Sequence, residues 1–107
     1  MPAIVKTKGK NSHILVEGEL TIFTAQELFD QIRKPILSGK NVEMDLSQVT
    51  EMDSAGLQIL LSAKLESLLR NTTFKLTSHS AAVSELLTLS ELVGFFGDPL
   101  IIESEMA

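Results

Sequence analysis

The run Met52-Asp53-Ser54-Ala55-Gly56-Leu57 holds the most specific chemistry in the sequence. A serine at a helix start faces unpaired backbone amides and the positive end of the helix dipole, and a glycine in the first turn lets another surface come close. One reading is local: Asp53 or Ser54 caps the helix. The other treats Ser54 as a charge switch, because a phosphate there adds about 1.5–2 negative charges at neutral pH. A helix terminus stabilises an anion by only about 0.3–1 kcal/mol, so the fold should barely respond. Beneath a partner's surface, the same dianion loses its hydration at a cost of several kcal/mol, and each ~1.4 kcal/mol is tenfold in affinity. Asp53 and Glu51 add like-charge repulsion unless the partner brings arginines. Release of a bound partner is the expected result.

The remaining inventory argues against catalysis. The two histidines, His13 and His79, fall in a strand and at a strand-to-helix turn, with no spacing that suggests a relay, and are expected to be surface or satisfied side chains. A serine hydrolase built on Ser54 needs a base near the hydroxyl, and neither histidine is near it in sequence. Glu51 and Asp53 could serve a paired-carboxylate hydrolase only if placed across a cleft. No Cys/His or Glu-x-x-His metal pattern occurs, no dense oxygen loop suits calcium, and Gly18 and Gly56 stand alone where a phosphate cradle needs a glycine-rich run. No catalytic residue, metal or cofactor is expected.

These residues must be positioned by the elements around them. Residues 3–8 alternate, Gly9-Lys10-Asn11 is turn chemistry, and residues 12–18 form a second strand, giving a hairpin. Thr24 with Glu27 reads as a capping box, opening a helix whose apolar residues Leu28, Phe29, Ile32, Ile36 and Leu37 recur at helical spacing. Gly39 marks its stop, and Pro35 should kink it or end it early. A compact strand is expected over residues 42–46, followed by a polar connection over 47–54. In the next helix Leu57, Leu60, Leu61, Leu65 and Leu68 define one face, with Ile59 and Ala63 nearly opposite, so cover on more than one side is expected. Lys64 lies inside that stripe; its stem should pack down while the ammonium reaches water, the sharper alternative being a partner contact. Asn71-Thr72 turns into a strand over 73–77, Ser80 caps a helix carrying Val83, Leu86 and Leu87, and an apolar stretch follows at 92–96. Residues 100–102 are a candidate last strand, and 103–107 should fray. Strands joined by helical crossovers run parallel while the opening hairpin is antiparallel. The fold class is therefore α/β: a small mixed open sheet with helices mainly on one face, forming a single domain over residues 1–107.

The chain's 107 residues include no cysteine, and 9 Lys+Arg against 14 Asp+Glu leave a net charge of −5. Disulfides and thiolate sites are excluded, and a reducing compartment is the default. The acidic balance disfavours nucleic acid and anionic membranes. The stretch 57–69 is interrupted by Gln58, Ser62, Lys64, Glu66 and Ser67, short of the ~20 apolar residues that span a bilayer. Residues 1–18 carry lysines but no apolar signal core, so a soluble cytoplasmic protein is expected.

The segment Asp45-Leu46-Ser47-Gln48-Val49-Thr50-Glu51-Met52-Asp53-Ser54-Ala55-Gly56-Leu57 resembles the signature of the STAS domain, shared by anti-sigma factor antagonists and the cytoplasmic tails of sulphate transporters. Gly18-Glu19-Leu20-Thr21 with Thr24-Ala25, and Ser80-Ala81-Ala82-Val83 through Leu86-Leu87 to Leu92-Val93-Gly94-Phe95-Phe96, resemble further family blocks. The resemblance implies a non-enzymatic partner-switching module. It would bind an anti-sigma factor kinase, be switched off when that serine kinase phosphorylates Ser54, and be reset by a phosphatase. The implied contact surface comprises Thr21, Ile22, Phe23, Asp53, Ser54, Ala55, Gly56 and Leu57, although core packing is equally open for Ile22 and Phe23. Thr21 stands where sporulation-type antagonists carry an Asp implicated in the kinase interaction, and Ala55 stands where their motif has a second serine. The same residues are similar to stand-alone STAS proteins of chemotaxis operons and to the STAS subunit of lipid-transport ABC systems, which docks on an ATPase. Oligomeric state is left open.

Overall fold

The computed structural model describes residues 3–89; the expected stretch at 92–96, the last strand at 100–102 and the frayed end at 103–107 lie outside them. Alternating side chains make β1 (Ala3–Lys8) and β2 (Asn11–Leu20), which pair antiparallel through the Gly9-Lys10 turn with Lys8 opposite Asn11. Gly9 takes φ +61°, a left-handed value that favours glycine. The chain continues through α1 (Ala25–Leu37), β3 (Asn41–Met52), α2 (Ser54–Leu69), β4 (Phe74–His79) and α3 (Ala81–Leu89). The sheet order is β1-β2-β3-β4, with β2–β3 and β3–β4 parallel. Ile14, Val16, Leu20, Val42, Met44, Leu46, Val49, Phe74 and Leu76 share a core with Leu28, Ile32, Ile36, Leu60, Val83 and Leu87, so the helices cover one face, as expected of this mixed α/β class.

Several local expectations are corrected. β3 runs to Met52, so residues 47–52 are strand and not connection. Its buried residues change from two apart to three between Leu46 and Val49, where the pairing with β2 shifts register, and a bulge of this kind erases the alternation that signals a strand. β4 likewise reaches His79 through a register shift. Thr24 makes no side-chain cap; its hydroxyl donates to the Glu19 carbonyl (2.8 Å) and accepts from the Thr21 N–H (3.1 Å). Pro35 does not end α1. It sits buried in the last turn, and its carbonyl accepts from Lys40 N–H (3.0 Å) while Ile36 accepts from Gly39 N–H (3.0 Å), a Schellman closure with Gly39 at φ +76°.

In α2 the buried positions are Gly56, Leu57, Leu60, Ala63 and Ser67, whereas Leu65 and Leu68 of the expected stripe are exposed. Leucines surround this helix, so its small residues mark the packed face. Lys64 is half-buried as expected, and its ammonium donates to the Phe74 carbonyl at the start of β4 (3.2 Å). Arg33 Nε reaches Glu66 Oε1 at 3.2 Å and ties α1 to α2.

Candidate functional site

β2 and β3 end side by side, Leu20 opposite Met52, and each opens into a helix start. One carboxylate joins the two exits. Asp53 is the N-cap of α2: Oδ1 accepts from the N–H groups of Ala55 (2.9 Å) and Gly56 (3.1 Å). Oδ2 accepts from the Ile22 N–H at 3.0 Å, thirty-one residues away in sequence. The Ile22 bond is the chief reason that the Asp53 carboxyl titrates below its ordinary range, with the Gly56 and Ala55 bonds adding to it against a desolvation that pushes the other way. The charged form thus holds the loop before α1 against the start of α2.

That loop is braced from beneath. Thr21 is only 8% exposed; its hydroxyl donates to Glu19 Oε1 (3.2 Å) and accepts from the Phe23 N–H (3.3 Å). Ile22 and Phe23 are thereby turned outward, 69% and 89% exposed, which settles their reading against core packing. Burying a side chain of this size is worth about 1.5–3 kcal/mol.

Ser54 is the first helical residue of α2 and is exposed; Asp53 and not Ser54 supplies the cap. The amides of Ala55 and Gly56 already serve Asp53, so an anion on Ser54 gains little from the helix end.

The structure brings Thr21, Ile22, Phe23, Asp53, Ser54, Ala55, Gly56 and Leu57 together, but not as one surface. Thr21, Gly56 and Leu57 are buried and shape it from below; Ile22, Phe23, Ser54 and parts of Asp53 and Ala55 form its outside. The glycine's close neighbour is internal: a Cβ on Gly56 would collide with the Leu20 carbonyl oxygen and lie 2.8 Å from Leu20 Cγ. Glu19, Leu20 and Thr24 complete the arrangement and were not among the expected site residues. Their neighbours in sequence carried a signal, but only the joining of two distant strand ends gives them these partners.

The histidines do not enter the site. His13 Nδ1 lies 3.5 Å from Glu43 Oε2 on the uncovered sheet face, and His79 ends β4. Glu51 stands beside Glu19 in the parallel register, and both are exposed. Among the described residues no cluster of three or more His, Cys, Asp or Glu could hold a metal, and no helix is long and apolar enough to cross a membrane.

The family model described as "Mlab, STAS domain" matches residues 4–102. The chain belongs to the STAS domain family. Among solved structures, this STAS chain is similar to an anti-sigma factor antagonist from Mycobacterium paratuberculosis, with 25% identity and a TM-score of 0.80 over 97% of this chain and 90% of that one. SpoIIAA in its unphosphorylated form, an anti-sigma factor antagonist, aligns at 19% identity and TM-score 0.76, covering 90% of this chain and 86% of that chain. SpoIIAA of Bacillus in its phosphorylated form aligns at 18% identity and TM-score 0.71, covering 90% and 89%. At these lower identities the likeness is one of fold, the mixed α/β architecture described above.

Proposed function

We propose that this STAS domain is a non-enzymatic, cytoplasmic binding module that docks on an anti-sigma factor kinase or related signalling protein and is released when Ser54 is phosphorylated. The observation that carries the reading is the pairing of an exposed Ser54 with the outward Ile22-Phe23 loop, joined through Asp53. In the switching step the Ser54 oxygen attacks the γ-phosphorus of ATP held by the kinase. ADP leaves with the electron pair of the broken bond, and a kinase base takes the hydroxyl proton. The product carries about two negative charges beside Asp53, Glu51 and Glu19, with the nearest helix amides already engaged. Solvated, this changes the fold little; pressed beneath a partner, it must shed its hydration. SpoIIAA, which shares the fold, exists in both phosphorylated and unphosphorylated forms, in keeping with such a cycle, and a phosphatase would restore the hydroxyl.

The test is incubation with an anti-sigma factor serine kinase from the same organism and ATP, mapping of the modified residue by mass spectrometry, and measurement of kinase binding by Ser54→Asp. Modification at Ser54, with binding lost and a melting temperature within a few degrees of the parent, is the expected outcome, since exposed substitutions cost about 0.5 kcal/mol or less. Undiminished binding by Ser54→Asp would defeat the switch.

A second reading keeps the surface and drops the switch. Asp53 satisfies the helix start by itself, and Ile22 and Phe23 are apolar whatever the state of Ser54. The domain would then dock constitutively, as a chemotaxis-operon STAS protein or as a lipid-transport subunit seated on an ATPase. Failure of any kinase to modify Ser54, together with Phe23-dependent binding, would select it.

A further inference from the structure

At the β1 margin of the sheet the described helices cover only the start of the strand, where Ala3 is buried. Val5 and Thr7 stand opposite Ile14 and Ser12, which are buried, and so face the helices; yet both are exposed. Between them and the C-terminal half of α1 lies an open cleft of about 450 Å³, lined by Val5, Thr7, Gln31, Lys34, Pro35 and Lys40. Alternate residues of an antiparallel strand aim their backbone groups away from the partner. Among the described residues β1 pairs only with β2, so these groups line the mouth of the cleft. Gln31 Oε1, in the cleft wall, is buried and has no hydrogen-bond partner among the described residues.

Charge restricts what could enter. Lys34 and Lys40 line the cleft and Lys10 lies in the adjoining turn, while Lys6 and Lys8 project from the other face of β1, so a strand added beside β1 would have lysines on both of its faces in a chain of net charge −5. The two parts of this basic corner are tied together, Lys40 Nζ donating to the Gly9 carbonyl and Asn41 N–H to the Lys10 carbonyl, each at 2.8 Å. A second copy of β1 would set Lys6 and Lys8 against their equivalents, which opposes self-pairing. An extended chain bearing carboxylates meets no such opposition. We propose that the cleft between the outer edge of β1 and α1 is a docking groove for an extended acidic segment of a partner protein, which adds to the sheet beside β1. Backbone pairing supplies affinity and the lysines select the charge.

Amide NMR of the full chain, titrated with the peptide acetyl-Glu-Val-Glu-Thr-Glu-Val-Glu-amide, tests this. Saturable shifts should centre on residues 4–8 and the Gln31 side-chain amide, leaving Ile22 and Phe23 unmoved. Replacing the peptide's glutamates by lysine, or N-methylating alternate residues, should abolish binding. The double variant Lys6→Glu/Lys34→Glu, checked for an unchanged melt, should bind about tenfold or more weakly, whereas Ser54→Asp should bind as the parent does, which keeps this result separate from the fate of the phosphorylation switch. The proposal is overturned by lack of saturation, by equal binding of the N-methylated peptide, by shifts centred on residues 22–54, or by a dimer formed through β1 in sedimentation.

Discussion

Where β2 and β3 finish, Glu19 and Glu51 lie side by side, Asp53 caps a helix and Phe23 stands in solvent; near the turn from β1 into β2, Lys34 and Lys40 line a cleft at the strand margin and Lys6 projects from its other face. β2 alone, ten residues at about 3.3 Å each, separates these ends by roughly 30 Å. That is several times the ~8 Å over which charges act at physiological salt, so the two ends are electrostatically independent. A net charge of −5 averages over both. It disfavours a polyanion wrapped around the whole molecule, but it does not forbid an acidic chain at one corner.

The sharpest contrast between the ends lies in their glycines. Gly56→Ala forces a methyl into the Leu20 backbone, and a cost of about 3 kcal/mol is expected, enough to lower Tm by about 10 °C or more. Gly9→Ala meets no atom within 4 Å and suffers only from φ +61°, about 1 kcal/mol. Equal losses in thermal melts would show that close approach is not what distinguishes the acidic end. Next comes Phe23→Ala, expected to weaken kinase binding by about 10- to 100-fold at unchanged Tm, from the ~1.5–3 kcal/mol of a buried phenyl ring. Calorimetric titration reads this directly, and an unaltered affinity would remove the apolar loop from the interface.

A subtler difference concerns pH. Because the native state depresses the Asp53 pKa, this carboxylate stabilises the fold above its unfolded pKa of about 4, and the contribution is lost as pH falls through the native value. Denaturant titrations should therefore find Asp53→Asn less stable than the parent near neutrality, with the gap closing in acid. A gap that persists in acid would assign the role to shape rather than charge. The smallest effect belongs to neither end: Arg33→Ala, at the α1–α2 seam, should cost about 0.5 kcal/mol and matter less at high salt.

Much of this was legible residue by residue. The hairpin, the amphipathic α1 and the helix opening at Ser54 follow from alternation, 3.6-residue spacing and the Asp-Ser pair. The second half of β3 did not show, because its bulge sets Leu46 and Val49 three apart and leaves Gln48, Thr50 and Glu51 looking like a loop. Nor could the buried face of α2 be read from its leucines, which are spread around the helix; Gly56, Ala63 and Ser67 marked it. Thr24 has the composition of a cap, yet its hydroxyl is taken by Glu19 and Thr21, and that competition is invisible along a linear chain.

The sequence by itself determined the element order over the described residues and the class of fold, since these rest on local periodicity. Tertiary structure alone decided that Phe23 faces water, that Asp53 reaches Ile22, and that a hairpin strand and the end of a helix wall one groove. Such facts depend on which distant backbone ends meet, and that is fixed by burying one face of the sheet as a whole rather than by any single stretch of residues.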